Sequence, residues 1–215
     1  MKVVLVAGAH PKAWPADLVQ QADVLIGIDR GTWYLLQAGH LPDIAVGDFD
    51  SLSAEELASV KAKVAQVHQL VPEKDDTDTQ IALKIAVENY PTADFYLLGA
   101  TGGRVDHFLA NLFLPFEARF APFTRQIHLL DQQNQIDFYL PGSYTVTKNP
   151  AYFYLAYVPL TPVQQLKIWN SKYALPATDL PIPYAYASNE FIGSTANFSF
   201  ASGLVAVIQS KDQTR

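Results

Sequence analysis

The chain has 215 residues, enough for one large domain or two small ones, and its 49% apolar and 17% charged content is that of an ordinary folded protein. A net charge of −6 with no basic run argues against a nucleic-acid partner. The absence of cysteine excludes disulfides, a thiol nucleophile and thiolate zinc sites, and suits a reducing cytoplasm.

The first elements alternate. Residues 3–7 form a continuous apolar run ending at Gly8, as in a strand buried on both faces, and the run is too short for a secretory segment. Residues 24–28 repeat the pattern and end at Asp29-Arg30-Gly31; a helix over 32–38 follows, with Gly39 as its stop. Residues 44–46 run into Gly47-Asp48-Phe49-Asp50-Ser51. Ser53-Ala54-Glu55-Glu56 then reads as a capping box opening a helix over 54–65. A short strand is expected over 66–71, a helix over 79–88, a strand over 95–98 and a helix over 105–116. No stretch is long enough to span a bilayer, so no membrane association is expected.

Strands alternating with helices of this length predict a parallel sheet in a three-layer α/β domain over residues 1–124. Ligands of such sheets sit outside the carboxyl ends of the strands. From residue 125 onward helical periodicity gives way to short strands: Ile136, Phe138 and Leu140 alternate with polar residues, and Pro141-Gly142 marks a turn. Residues 151–158 are apolar on both faces, while 197–200 and 204–209, joined by Ala201-Ser202-Gly203, read as a hairpin. A β-sandwich is the expected second domain, over 125–215.

Four polar segments follow strand candidates and should converge on one sheet edge. They are Asp29-Arg30-Gly31, Gly47–Ser51, Lys74-Asp75-Asp76-Thr77-Asp78, and Gly99 through His107. Asp48 and Asp50, two apart, lie on one face if the segment is extended, close enough to share a cation. Asp75 and Asp78, three apart, reach one point from a first helical turn. So many mutually repelling carboxylates predict a bound cation, and oxygen donors suit Mg²⁺ held together with substrate phosphates. Lys74 is placed to touch a phosphate. Thr101-Gly102-Gly103 before a helix makes a phosphate cradle. Arg104, His107 and Asn111 recur at helical spacing; Arg104 suits phosphate oxygens, and His107 suits a phosphate contact, proton transfer or a structural role. His10, after Gly8-Ala9, is a further candidate for lining the site.

In this order the motifs resemble those of the thiamine pyrophosphokinase family over nearly the whole chain. Asp29 and Gly31, Gly47–Ser51, Lys74–Asp78 and Gly102–His107 match its acidic and glycine-rich elements, and Asn111 matches the Asn that ends the last one. Lys172-Tyr173 and Ser188-Asn189-Glu190-Phe191 match two elements of its second half. The resemblance implies transfer of the pyrophosphoryl group of ATP to the hydroxyl of thiamine, giving thiamine diphosphate and AMP. It further implies a cytoplasmic homodimer with thiamine held between the first domain of one subunit and the second domain of the other.

On that basis ATP is assigned to Arg30, Gly31, Lys74, Thr101, Gly102, Gly103, Arg104, His107 and Asn111. Mg²⁺ is assigned to Asp48, Asp50, Asp75 and Asp78, and thiamine to Lys172, Tyr173, Ser188 and Asn189. Catalysis falls to Asp48, Asp50, Asp78 and Asp106, with the proton acceptor open between Asp106 and a metal-adjacent aspartate. The chain departs from the family pattern where Asn170-Ser171 replaces the usual Gly-Leu, and near residues 184–187, where the usual glycine is missing; both predict an altered thiamine loop. Two other classes compete: a nucleotide or thiamine sensor without activity, and an Asp-x-Asp nucleotide-sugar transferase, which has no use for the Lys74–Asp78 segment.

Overall fold

The structure, a computed structural model, describes residues 1–9 and 14–212, so His10 lies outside the described residues. The chain divides into two compact units, Met1–Gln132 and Gln133–Arg215.

In the first unit six strands run parallel: β1 (Lys2–Val6), β2 (Val24–Ile28), β3 (Ile44–Gly47), β4 (Gln66–Gln69), β5 (Asp94–Leu98) and β6 (Ile127–Leu130). Their spatial order is β6-β5-β1-β2-β3-β4. The chain therefore builds outward from β1 in one direction, then returns to place β5 on the other side of it. That reversal between β1 and β5 is the switch point at which open α/β sheets bind ligands. The pairing of β6 with β5 carries this unit past residue 124.

Among the described residues, five α-helices accompany the sheet: α1 (Ala16–Gln20), α2 (Arg30–Gln37), α3 (Ala54–Lys63), α4 (Asp78–Asn89) and α5 (Val105–Leu112). Val4 and Val6 of β1 pack with Val19 of α1 and Leu35 of α2. Alternation along the strand sends Val3 and Leu5 to the opposite face, and α4 packs against β1, β2 and β3. The capping box of α3 forms as expected: Ser53 Oγ accepts from the Glu56 amide at 3.2 Å, and Glu56 accepts from the Ser53 amide at 2.8 Å. The helix expected over 105–116 stops at Leu112, because Pro115 supplies no N–H and disfavours helical geometry before it; Leu114–Phe116 is a 3₁₀ turn.

The second unit is a pair of antiparallel sheets. One has the order β12 (Tyr186–Glu190), β9 (Tyr154–Pro159), β14 (Val205–Ser210), β7 (Asn134–Tyr139). The other has β11 (Leu175–Leu180), β10 (Val163–Trp169), β13 (Thr195–Phe200), β8 (Gly142–Thr147). The sandwich expected from sequence is present, but the 197–209 hairpin is not. β13 pairs with β8 and β10 while β14 pairs with β7 and β9, so the intervening turn carries the chain from one sheet to the other. The crossing lets Phe198, Phe200, Val205 and Val207 enter one buried cluster with Tyr157 and Leu166. A hairpin would have placed the two strands side by side in one sheet.

Candidate active site

At the switch point of the first unit lies a cleft of about 390 Å³. Its floor is Ala7, Gly8 and Ala9 after β1 and Gly99 and Ala100 after β5, with Ile28 and Asp29 from the end of β2. Thr77, Asp78 and Thr79 at the start of α4 line one wall; Gly102, Gly103, Arg104, His107 and Asn111 line another. Three of the four polar segments thus contribute to its lining, and the fourth reaches it through Asp48.

Among the described residues, Asp29, Asp48 and Asp78 each offer a carboxylate oxygen, and these oxygens lie within 4.8 Å of one another. Asp29 Oδ2 accepts a 2.7 Å hydrogen bond from Ser51 Oγ, while Asp29 Oδ1 is buried without a hydrogen-bond partner. Asp78 Oδ1 is also buried, and its partner is the ammonium of Lys74, ion-paired at 3.0 Å. A buried carboxylate oxygen of Asp29 without a partner, in a group of three carboxylates whose oxygens converge, is what a hard divalent cation satisfies, so this donor set fits Mg²⁺.

Lys74 meanwhile bridges the group. Its ammonium donates to Asp48 Oδ2 at 3.0 Å and to the Val71 carbonyl at 3.1 Å. Burial pushes the Asp78 carboxyl above its ordinary value, and Lys74 offsets this in part. Burial also acts on Asp48, but there the Asp50 amide and Lys74 outweigh it and hold the carboxyl low. Lys74, expected at a phosphate, is thus a counter-ion for two of the three aspartates.

Asp50 and Asp75 stand outside this group. The segment around Asp48 is not extended: Phe49 has φ = 59° and is buried, which turns Asp50 out to the surface, where its amide donates to Asp48 Oδ1 at 3.2 Å. Asp75 precedes the helix instead of sitting in its first turn, because Thr77 is the N-cap, and it is exposed. The member that sequence spacing did not assign to the metal is Asp29. Its φ of 45° is unusual for a residue with a side chain, and its place after β2 was the available signal.

The phosphate-binding assignments divide similarly. Gly102 and Gly103 have φ of 76° and 64° with open space around them, so the glycines serve the backbone path and leave their amides uncovered. Arg104 and His107 are exposed at the cleft; Arg104 pairs with Asp106 through an Nη2–Oδ2 contact of 2.5 Å, which holds Asp106 below its ordinary value. Thr101 is buried and hydrogen-bonds the Asp131 carboxylate. Asn111 is buried and donates from Nδ2 to the Ala100 carbonyl at 2.8 Å. Both side chains brace the loop.

Arg30 forms a two-contact pair with Glu56 at 3.1 and 2.9 Å. Gly31 is a packing residue: a Cβ there would lie 2.2 Å from the Val6 carbonyl oxygen, so its absence lets α2 approach β1. Sequence reasoning had no signal for Asp131 or for Arg119, which pairs with Asp76 at 2.6 and 2.7 Å.

The second unit carries a pocket of about 280 Å³ lined by Ile168, Tyr173, Leu175, Tyr184, Tyr186, Ala187 and Asn189, among others. Asn189 was expected to meet a ligand, yet it is buried and its amide is engaged with the neighbouring loop. Oδ1 accepts from the Tyr173 amide at 3.0 Å and the Glu190 amide at 2.9 Å; Nδ2 donates to the Tyr173 carbonyl at 2.8 Å. Tyr173 itself is 59% exposed. Lys172 pairs with Glu190 at 2.5 Å and lies 5.5 Å from the Tyr173 ring centroid. Ser188 is exposed with φ = 59°.

At the departure from the family pattern, Asn170 adopts φ = 55°, a conformation asparagine tolerates better than most residues. Ser171 is buried beside the Tyr157 hydroxyl at 3.2 Å, and burial pushes that phenol up to about 12.

The family model described as "Thiamin pyrophosphokinase, catalytic domain" matches residues 15–129, and that described as "Thiamin pyrophosphokinase, vitamin B1 binding domain" matches 143–205. The chain is 35% identical to a thiamine pyrophosphokinase of Bacillus subtilis (strain 168), with 99% of this chain and all of that protein covered. A crystal structure of a thiamin pyrophosphokinase family protein from Enterococcus faecalis is 52% identical with a TM-score of 0.97, covering 99% of this chain and 100% of that one. A crystal structure of a protein from Lactobacillus plantarum is 43% identical with a TM-score of 0.87, again over 99% and 100%. With its acidic and glycine-rich segments gathered at one switch point and both family models matched in order, the chain belongs to the thiamin pyrophosphokinase family.

Proposed function

We propose that this chain transfers the pyrophosphoryl group of ATP to the hydroxyl of thiamine, forming thiamine diphosphate and AMP. The observation that carries the chemistry is the convergence of Asp29, Asp48 and Asp78 at the mouth of a glycine-lined cleft. Bound there with the nucleotide, Mg²⁺ would neutralise phosphate charge. The exposed amides of the Gly102–Gly103 turn and the start of α5 suit phosphate oxygens. Arg104, paired with Asp106 at the surface, is free to exchange that partner for the transferring group, whose charge it would stabilise. Lys74, hydrogen-bonded to Asp48, places a cation beside the converging carboxylates that can also meet a phosphate. The thiamine oxygen attacks the β-phosphorus, the bond to the α-phosphate oxygen breaks, and the hydroxyl proton leaves to a carboxylate or to solvent.

For thiamine, the aromatic pocket of the second unit offers Tyr173 for stacking, with Asn189 holding Tyr173 in place, and the exposed Ser188, next to the lining residues Ala187 and Asn189, is the hydrogen-bonding candidate. A homodimer belongs to the same reading. Its support is the exposed apolar row Val105, Leu109, Phe113 and Phe116, a surface that a second copy would cover. No helix among the described residues is long and apolar enough to cross a membrane, and dependence on ATP favours a cytoplasmic location.

The test is to incubate the protein with thiamine, ATP and Mg²⁺ and resolve the products. Equimolar thiamine diphosphate and AMP are expected. ADP with thiamine monophosphate would make the chain an ordinary kinase, and binding without product would make it a sensor.

A further inference from the structure

Arg119 lies just beyond the short 3₁₀ turn after α5, and none of the sequence motifs includes it. Its guanidinium donates from Nη1 and Nη2 to the two oxygens of Asp76, at 2.6 and 2.7 Å, and from Nε to Glu117 Oε2 at 2.8 Å. Glu117 Oε1 in turn accepts from Gln80 Nε2 at 2.7 Å. Gln80 closes the capping box of α4: its Oε1 accepts from the Thr77 amide at 2.8 Å, and its own amide donates to Thr77 Oγ1 at 3.2 Å.

Two arms therefore run from one planar cation to the N-terminus of α4, one entering before the cap and one inside the first turn. Asp78 lies between their attachment points. A guanidinium bonded bidentately to one carboxylate and laterally to a second fixes orientation as well as distance, which an ammonium cannot do. The guanidinium also lies 4.7 Å from the centroid of the buried Phe120 ring, so the cation itself is anchored.

We propose that Arg119 is a positioning residue for the metal–nucleotide site: through Asp76 and through Glu117–Gln80 it fixes the start of α4 and so the direction of the Asp78 carboxylate. Asp76 thereby acquires a role distinct from the acidic residues around it. It is a strut, ion-paired with Arg119 through both oxygens and outside the cleft lining. The proposal rests on the function stated above for the identity of the metal–nucleotide ligand, but its central measurement needs no turnover.

The experiment compares wild type, Arg119→Met, Arg119→Lys and Gln80→Met. Mn²⁺ binding is measured by electron paramagnetic resonance in the presence of a non-hydrolysable ATP analogue, and steady-state kinetics are measured over Mg²⁺ and thiamine. Arg119→Met should weaken Mn²⁺ binding and raise the half-saturating Mg²⁺ by about tenfold, the low end of what losing a ligand's supporting partner costs. The KM for thiamine should stay within about twofold, since thiamine contacts are assigned elsewhere. Arg119→Lys should recover part of the metal affinity, and Gln80→Met, which cuts one arm, should shift it in the same direction by less.

A purely structural role would lower kcat through a smaller active fraction and leave metal half-saturation where it was; that result overturns the proposal. If Arg119→Met does not fold, Gln80→Met decides, and unchanged Mn²⁺ binding there is equally fatal. A wild-type protein that binds Mn²⁺–nucleotide but makes no thiamine diphosphate would refute the proposed function while leaving the two-armed clamp to be judged on binding.

Discussion

Replacing Asn189 by alanine separates a residue that touches the substrate from one that holds the residue that does. Asn189 is 3% exposed and makes three hydrogen bonds, two with Tyr173 and one with Glu190. Each is worth about 0.5–1.5 kcal/mol net. Part of the loss is recovered, because Tyr173 is well exposed and water can reach its freed backbone groups. The expected cost is therefore about 2–3 kcal/mol to the sandwich unit in the absence of any ligand. With a urea dependence of about 1–3 kcal/mol per molar, that moves the unfolding midpoint down by roughly 1 M.

The assay is urea unfolding of ligand-free protein followed by circular dichroism, with steady-state kinetics alongside. The KM for thiamine should rise as well, because Tyr173 is no longer fixed, while the KM for ATP should not. An unchanged ligand-free midpoint accompanied by a large rise in thiamine KM would refute the reasoning and make Asn189 a direct ligand.

Gly31→Ala places a methyl group 2.2 Å from the Val6 carbonyl oxygen, so α2 must move off β1; a cost of about 1–3 kcal/mol should lower Tm by roughly 5 °C, and an unaltered Tm would show that the contact yields freely. Asp29→Asn removes one of three converging charges, so the metal-free protein should be more stable than wild type while the rise in Tm on adding Mg²⁺ and ATP shrinks; an undiminished rise would exclude Asp29 as a ligand. Asp78 has its folded pKa raised, chiefly by burial. The folded state therefore holds that proton more tightly than the unfolded chain, and stability falls as pH rises from the ordinary value of 3.8 through the folded value. In metal-free protein Asp78→Asn should flatten that part of the Tm-against-pH curve and raise Tm at neutral pH; an unchanged curve would mean that Lys74 already compensates the charge in full.

Much of the first unit was legible because β1, β2, β3 and most of β5 are apolar runs, which local composition reveals, and because α3 begins with the Ser53–Glu56 capping box. The turn between β13 and β14 was not. Hairpin and sheet-crossing connections share the same local signature, two β-rich runs around a small-residue turn, and the choice between them is made by which distant strands each pairs with. Arg119, Glu117 and Asp131 were invisible for the related reason that each acts through a side chain far away in sequence.

The site was legible as a place more than as a set of roles, and backbone strain explains the difference. Of the five non-glycine residues with positive φ among the described residues, Asp29, Phe49, Asn170 and Ser188 lie in or beside the segments singled out from sequence; the fifth, Gln165, lies within β10. Spacing arguments assume a regular backbone. A pair of aspartates two apart shares a face if the strand continues, but Phe49 turns over and buries its ring, sending Asp48 inward and Asp50 out. The same kind of turn at Asp29 directs a carboxylate that no spacing rule assigned toward Asp48 and Asp78. Such conformations cost about 1–3 kcal/mol each and persist where the surrounding packing and hydrogen bonding determine them. Here the buried Phe49 ring and the Ser51–Asp29 bond do so for one pair of loops, and the Asn170–Asn197 and Asn189–Tyr173 bonds for the other. Motif residues in this chain thus divide between those presented to substrate and those that hold the strained turns presenting them, and the second group is read from hydrogen bonds, not from spacing.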